Sequence, residues 1–166
     1  AIAKSRYSVT EPWEDVSIKA KIPFLEKLNE KIFSLDKRVR KVQASLSDNT
    51  SHVLFCNSEG VSYYDYRPMV SFVAVCIMEE DGKMENGFAS RSYRKGFEFM
   101  TDDIVDILAR EAVDKTSILF KAVKPKGGEM PVVMGAGGSG ILLHEAIGHA
   151  FEADFNRKRT SIFCDL

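Results

Sequence analysis

Three side chains near the C-terminal end of the 166-residue sequence, His144, Glu145 and His149, are of the types that hold a divalent metal and move a proton. They follow a glycine loop, Gly135, Gly137, Gly138 and Gly140, that offers a second chemistry. Gly135, Gly137 and Gly140 satisfy the GxGxxG spacing of a dinucleotide-binding turn, set between an apolar run at 131–134 and a helical stretch. A second apolar run at 161–164, with Asp165 at roughly the distance of a ribose-binding acid, would complete such a unit and bind NAD or FAD. The plainer expectation is that the glycines only allow a tight turn between a buried strand and a helix.

The metal reading depends on spacing. In the H-E-x-x-H pattern the histidines stand four apart, about 40° around a helix, and both face one ion. Here the spacing is five, about 140° on a regular helix, so an undistorted helix would not aim both at one metal. A π-turn or an unwound turn at residues 147–149 would bring them together, and Gly148 lowers the cost of that distortion. Regular α-helical hydrogen bonding through Gly148 would count strongly against chelation by this pair.

The elements that position these residues follow from the periodicity. Residues 14–36 carry Ile18, Ile22, Leu25, Leu28, Ile32 and Phe33 at helical spacing, and Pro23 inside the run predicts a short first turn and a helix from about residue 23. From Lys37 the period becomes two. Strands are expected at 37–46, 52–56, 61–66, 68–78 and 84–93, with turns at 47–50, 57–60 and 81–82, which makes an antiparallel meander. Thr101 or Asp102 caps a second helix whose Ile104, Ile107, Leu108 and Ala112 share a face. The expected fold class is α+β, a meander sheet packed with two helices over residues 1–124, a linker at 125–129, and at 130–166 the start of a second domain with a strand, a glycine turn and the histidine helix. The sequence does not begin with Met, and it reads as cut at both ends.

Composition narrows the function classes. With 45% apolar and 28% charged residues the chain can build a globular core, and a net charge of -1 gives no footprint for nucleic acid or anionic lipid. The aromatics Tyr63, Tyr64, Tyr66, Phe88, Tyr93 and Phe97 lack interleaved basic residues and are read as sheet packing, and His52 is given no role. Cys56, Cys76 and Cys164 are odd in number and lack CxxC spacing, so buried free thiols in a reducing compartment are expected. No apolar run approaches the ~18 residues of a membrane span.

The run GSGILLHEAIGHAFEADFNRKRTS, residues 138–161, resembles the signature of the TldD/PmbA family, HExxxH followed by E-x-D-F-N-R. The preceding meander and helix are similar in layout to that family's N-terminal domain. The resemblance implies a cytoplasmic zinc metallopeptidase of the TldD branch that acts on unstructured peptides, assembled as a homodimer or heterodimer around a cavity. It makes His144 and His149 metal ligands and Glu145 the general base, with a third ligand, a cysteine, in a downstream domain outside this chain. Cys164 has no family motif around it. Glu152 and Asp154 are expected to orient the site by hydrogen bonds, and Arg157, Lys158 and Arg159 to complement a helix C-terminus. Some relatives are labelled modulators of DNA gyrase, but the composition supports no direct DNA contact. Two alternatives stay open: the dinucleotide module, and a non-catalytic assembly subunit.

Overall fold

A computed structural model describes residues 6–164, and the chain divides into two compact units, Ala1–Val123 and Lys124–Leu166, each treated by itself. The first is built of helix α1 (Ile18–Leu35), strands β1 (Val39–Cys56), β2 (Ser62–Glu80) and β3 (Lys83–Tyr93), and helix α2 (Asp102–Leu119). The sheet order is β1-β2-β3, antiparallel throughout, with Ala44, Ala74 and Ala89 aligned in one row. Val70, Phe72, Ala74, Cys76 and Met78 of β2 alternate into the core. Leu28 and Ile32 of α1 join them there, as do Val105, Leu108, Ala109, Ala112 and Val113 of α2. This is the expected α+β class, a meander with two helices.

The strands are fewer and longer than expected. Residues 47–50 have turn chemistry, yet they run straight through β1, paired with Ser71, Val70, Met69 and Pro68. Cross-strand pairing outweighs local turn preference here. The polar groups also find partners: Lys21 Nζ meets Asp48 Oδ2 at 2.7 Å, and Thr50 Oγ1 donates to Glu14 Oε2 at 3.0 Å. Pro68 is tolerated inside β2 because β3 ends at the Val70↔Tyr93 pair, so one side of β2 is unpaired there. Beyond that point β1 and β2 continue alone as a ribbon to Cys56↔Ser62. Its tip closes on Asn57 Oδ1, which accepts from the backbone N–H groups of Glu59 and Val61 at 3.1 and 2.9 Å. The tight turn between β2 and β3 uses Asp81 and Gly82, both at positive φ (50° and 77°), as a two-residue hairpin requires.

Other expectations need correcting. Helix α1 is continuous through Pro23. The missing proline N–H would have served the Lys19 carbonyl, and Lys19 is exposed, so water can take that acceptor. The cost of about 3 kcal/mol is offset by complete burial of Leu28 and Ile32, each contributing ~1.5–3 kcal/mol. On α2 the buried stripe is Val105, Leu108, Ala109, Ala112, Val113 and Thr116, and Ile107 lies outside it, 45% exposed. Thr101 caps α2, its Oγ1 accepting from Ile104 N. Of the aromatics, Phe97 is half-buried and packs against the core edge-on to Trp13 and Phe24, whereas Tyr63, Tyr64, Phe88 and Tyr93 are exposed. His52 stacks on Tyr64 in the ribbon. Only Cys76 is a buried thiol, pushed up in pKa by that burial; Cys56 is exposed and Cys164 half-buried.

The second unit contains α3 (Gly138–Ala146), a 3-10 turn at Gly148–Phe151 and α4 (Ala153–Arg157). The run 131–134 forms no strand and is exposed, with Val133 at 97%, and residues 161–164 form a turn. Neither run has a neighbouring strand to pair with among the described residues, and an extended segment without one satisfies no sheet hydrogen bonds. Asp165 lies outside the described residues. No described residue of this unit is buried. Among the described residues no helix is long and apolar enough to cross a membrane.

Two outcomes test this packing. Gly87 lies where α2 crosses β3, and a Cβ there would come 2.7 Å from Thr116 Oγ1 and 3.0 Å from Thr116 N. Gly87→Ala is therefore expected to cost about 1–3 kcal/mol in urea denaturation. Arg38 joins the start of β1 to the end of β2 and to α2, reaching Asp36 Oδ2, Glu80 Oε1 and Ser117 Oγ at 2.7, 3.2 and 2.9 Å. Its hydrogen bonds hold the Asp36 carboxyl below its ordinary value. The stabilisation is thus present above about pH 4 and lost as the pH falls further; Asp36→Asn should lower stability at neutral pH and flatten that acid limb.

Candidate metal centre

Helix α3 starts at the glycine loop, with Gly137 at φ 123°, a conformation side-chain-bearing residues rarely adopt, and the Ser139 hydroxyl donating to the Gly135 carbonyl. His144 and Glu145 occupy its last turn. The final α-type hydrogen bond runs from Ile147 N to Leu143 O at 3.1 Å, and Ile147 then leaves helical geometry at φ -137°, ψ -25°. A tighter winding follows, with Ala150 N donating to Ile147 O at 3.1 Å and Glu152 N to His149 O at 3.2 Å. Of the two expected distortions, the unwound turn occurs and the π-turn does not.

The break has a geometric effect. The imidazoles of His144 and His149 meet edge-on with centroids 4.4 Å apart. Each of His144, Glu145 and His149 offers a ligand atom, and these atoms all lie within 4.8 Å of one another. Four tetrahedral bonds of ~2.1 Å place ligand atoms about 3.4 Å apart, so small side-chain rotations close the group to chelating distance. His149 Nε2 is 3.6 Å from Glu145 Oε2, near that separation already. Two imidazoles beside a carboxylate suit zinc, and other divalent first-row metals as well. The donor set therefore fits a metal, with all three residues exposed.

Sequence reasoning grouped Glu152 with Asp154, and the structure separates them. Glu152 Oε1 sits 2.6 Å from His149 Nδ1, whereas Asp154 faces Lys158 Nζ at 3.6 Å. Asn156 was given no role by its residue type, yet its amide bridges the carbonyls of Ala150 and Glu152 at 3.1 and 2.9 Å. An Asn four residues after a helix-entry Glu was the available signal. Cys164 is not part of the metal-capable group among the described residues. The dinucleotide reading loses its context: among the described residues no strand runs directly into Gly135, Gly137 and Gly140, and no second strand follows them.

Residues 11–120 match the family model described as the PmbA/TldA metallopeptidase central domain. The chain belongs to the PmbA/TldD family. The stretch that the sequence reading takes for an N-terminal domain is thus described as central in the PmbA/TldD family. A metalloprotease TldD homolog from Haemophilus influenzae is 40% identical over 164 residues, covering 96% of this chain and 34% of its own length. Another from Buchnera aphidicola is 36% identical, with 96% and 35% covered. A metalloprotease of Methanocaldococcus jannaschii is 31% identical, covering 78% and 28%. This chain thus spans about a third of the length of the TldD relatives it matches. A solved Thermotoga maritima structure, described as a proposed modulator of a DNA gyrase, superposes with a TM-score of 0.62 at 17% identity, over 75% of this chain and 28% of that one. That likeness supports the fold alone.

If the pair holds a metal, His144→Ala and His149→Ala should each weaken zinc binding by the full-length protein at least about tenfold, read by chelator competition. His52→Ala, in the ribbon, is the control and should leave it unchanged.

Proposed function

We propose that the full-length protein is a zinc-dependent peptidase of the TldD branch, cleaving unstructured peptides, with His144 and His149 as metal ligands and Glu145 as general base. The observation that carries this reading is the helix break at Ile147, which places the three ligand atoms within 4.8 Å of one another. The metalloprotease names of the PmbA/TldD relatives point the same way. A third protein ligand is assigned to residues beyond this chain, because two imidazoles leave a catalytic zinc one ligand short.

Bound there, the ion would supply Lewis acidity, polarising the scissile carbonyl and making water more acidic. Glu145, next to His144 in the chain and 3.6 Å from His149 through Oε2, takes the proton from that water and passes it to the leaving amine. His144 and His149 do no proton work and serve as neutral nitrogen donors. The free thiols of Cys56, Cys76 and Cys164 support a reducing, cytoplasmic setting, and the exposed Ile141, Leu142 and Leu143 of α3 support burial against further protein in a homodimer or heterodimer.

Glu145→Gln should reduce peptide hydrolysis by the full-length protein at least about 100-fold while zinc content stays at the parent level, because the base is lost and both imidazoles remain. Substantial residual hydrolysis would remove Glu145 from its role. A parent protein with zinc and no hydrolysis of any unstructured peptide would instead fit a non-catalytic assembly subunit.

A further inference from the structure

An imidazole can bind a metal only through a nitrogen that carries no proton, and the partner of the other nitrogen decides which one that is. His149 has such a partner. Its Nδ1 lies 2.6 Å from Glu152 Oε1, and an ionised carboxylate only accepts, so the proton of this bond belongs to Nδ1. The other nitrogen, Nε2, faces Glu145 Oε2 at 3.6 Å, beyond hydrogen-bonding range and on the side of the metal-capable group.

The 3-10 winding of Gly148–Phe151 favours this contact. With three residues per turn, side chains at i and i+3 eclipse, so the winding that follows the break at Ile147 stacks Glu152 over His149. An α-helical continuation would turn them about 60° apart. The position of Glu152 is then locked from below: Asn156 Nδ2 donates to the carbonyls of Ala150 and Glu152, and the Ser161 hydroxyl also donates to Ala150 O. These bonds span the two residues that flank Phe151, and they hold the backbone from which the carboxylate projects.

We infer that Glu152, latched by Asn156, is a positioning residue that fixes the Nδ1–H tautomer of His149 and presents its Nε2 lone pair to the metal. The inference rests on the metal reading proposed above and assigns separate tasks to the two glutamates. Glu145 moves a proton, whereas Glu152 orients a ligand and touches no reacting atom. It also gives a physical reason for the E and N of the E-x-D-F-N-R run.

The test uses full-length protein with 15N-labelled histidine. In the metal-free parent at mildly alkaline pH, side-chain 15N–1H correlation should place the His149 proton on Nδ1, and Glu152→Ala should move it to Nε2. Zinc affinity by chelator competition should fall about 10–100-fold in Glu152→Ala. Glu152→Gln, which keeps an acceptor oxygen, should recover part of the loss, and Asn156→Ala should show a smaller loss with the Nδ1 proton still dominant. Glu152→Ala with parental tautomer and parental zinc affinity overturns the positioning role alone. A parent that binds no zinc overturns the metal reading, and the role with it, even if the tautomer shifts. A thermal melt of each variant checks folding, and if Glu152→Ala does not fold, Glu152→Gln decides by the same two readouts.

Discussion

Central strand β2 is paired on both sides from Val70 to Met78, and it sends alternate side chains into one core under two helices. A single register slip would move Phe72, Cys76 and Met78 to the other face, so burial on that face fixes both strand pairings at once. The thickness of the layer depends on small residues at its centre. Ala44, Ala74 and Ala89 form the middle row of the sheet, Ala109 and Ala112 lie on α2, and Gly87 receives Thr116. The Thr116 hydroxyl donates to Ala112 O and Cys76 O at 2.7 and 3.3 Å, so the buried polar group at this crossing is satisfied.

Much of this was legible in the residues. Alternation in 68–78, the Thr101 cap of α2 and the Leu108 and Ala112 part of its stripe are local signals that survived, whereas Ile107 lies outside the stripe. The failures all have non-local causes. The turn-like 47–50 stayed extended because a facing strand and Lys21 supplied partners that the local sequence does not show. Pro23 stayed helical because Leu28 and Ile32, about one and a half and two and a half turns later, are buried in the core. The apolar run 131–134 failed as a strand for the opposite reason: an extended segment needs neighbours, and none of the described residues provides them.

At the candidate centre the sequence carried the key constraint in a single number, the five-residue spacing of His144 and His149. That spacing conflicts with a continuous α-helix, and the conflict is settled by ending α3 at Ala146 and tightening the chain that follows. The direction of the distortion was not legible. A wider winding, or a break followed by a tighter one, brings the rings together, but only the second eclipses residue 149 with residue 152. Asn156 acts on backbone carbonyls, so its residue type alone points to no role, and only its place four residues after Glu152 marks it.

The ribbon formed where β1 and β2 outrun β3 carries a further consequence. Past Pro68 the paired strands have no third strand beside them among the described residues, and they expose Leu54, Phe55, Tyr63 and Tyr64. A two-stranded ribbon is marginal by itself in water. The same pair of strands is therefore expected to carry two grades of order, with the three-stranded half opening at a higher free energy than the two-stranded half. Amide protons of β1 would exchange in a gradient along one continuous strand, slow beside Ala74 and fast towards Cys56, with the boundary where the β3 ladder stops.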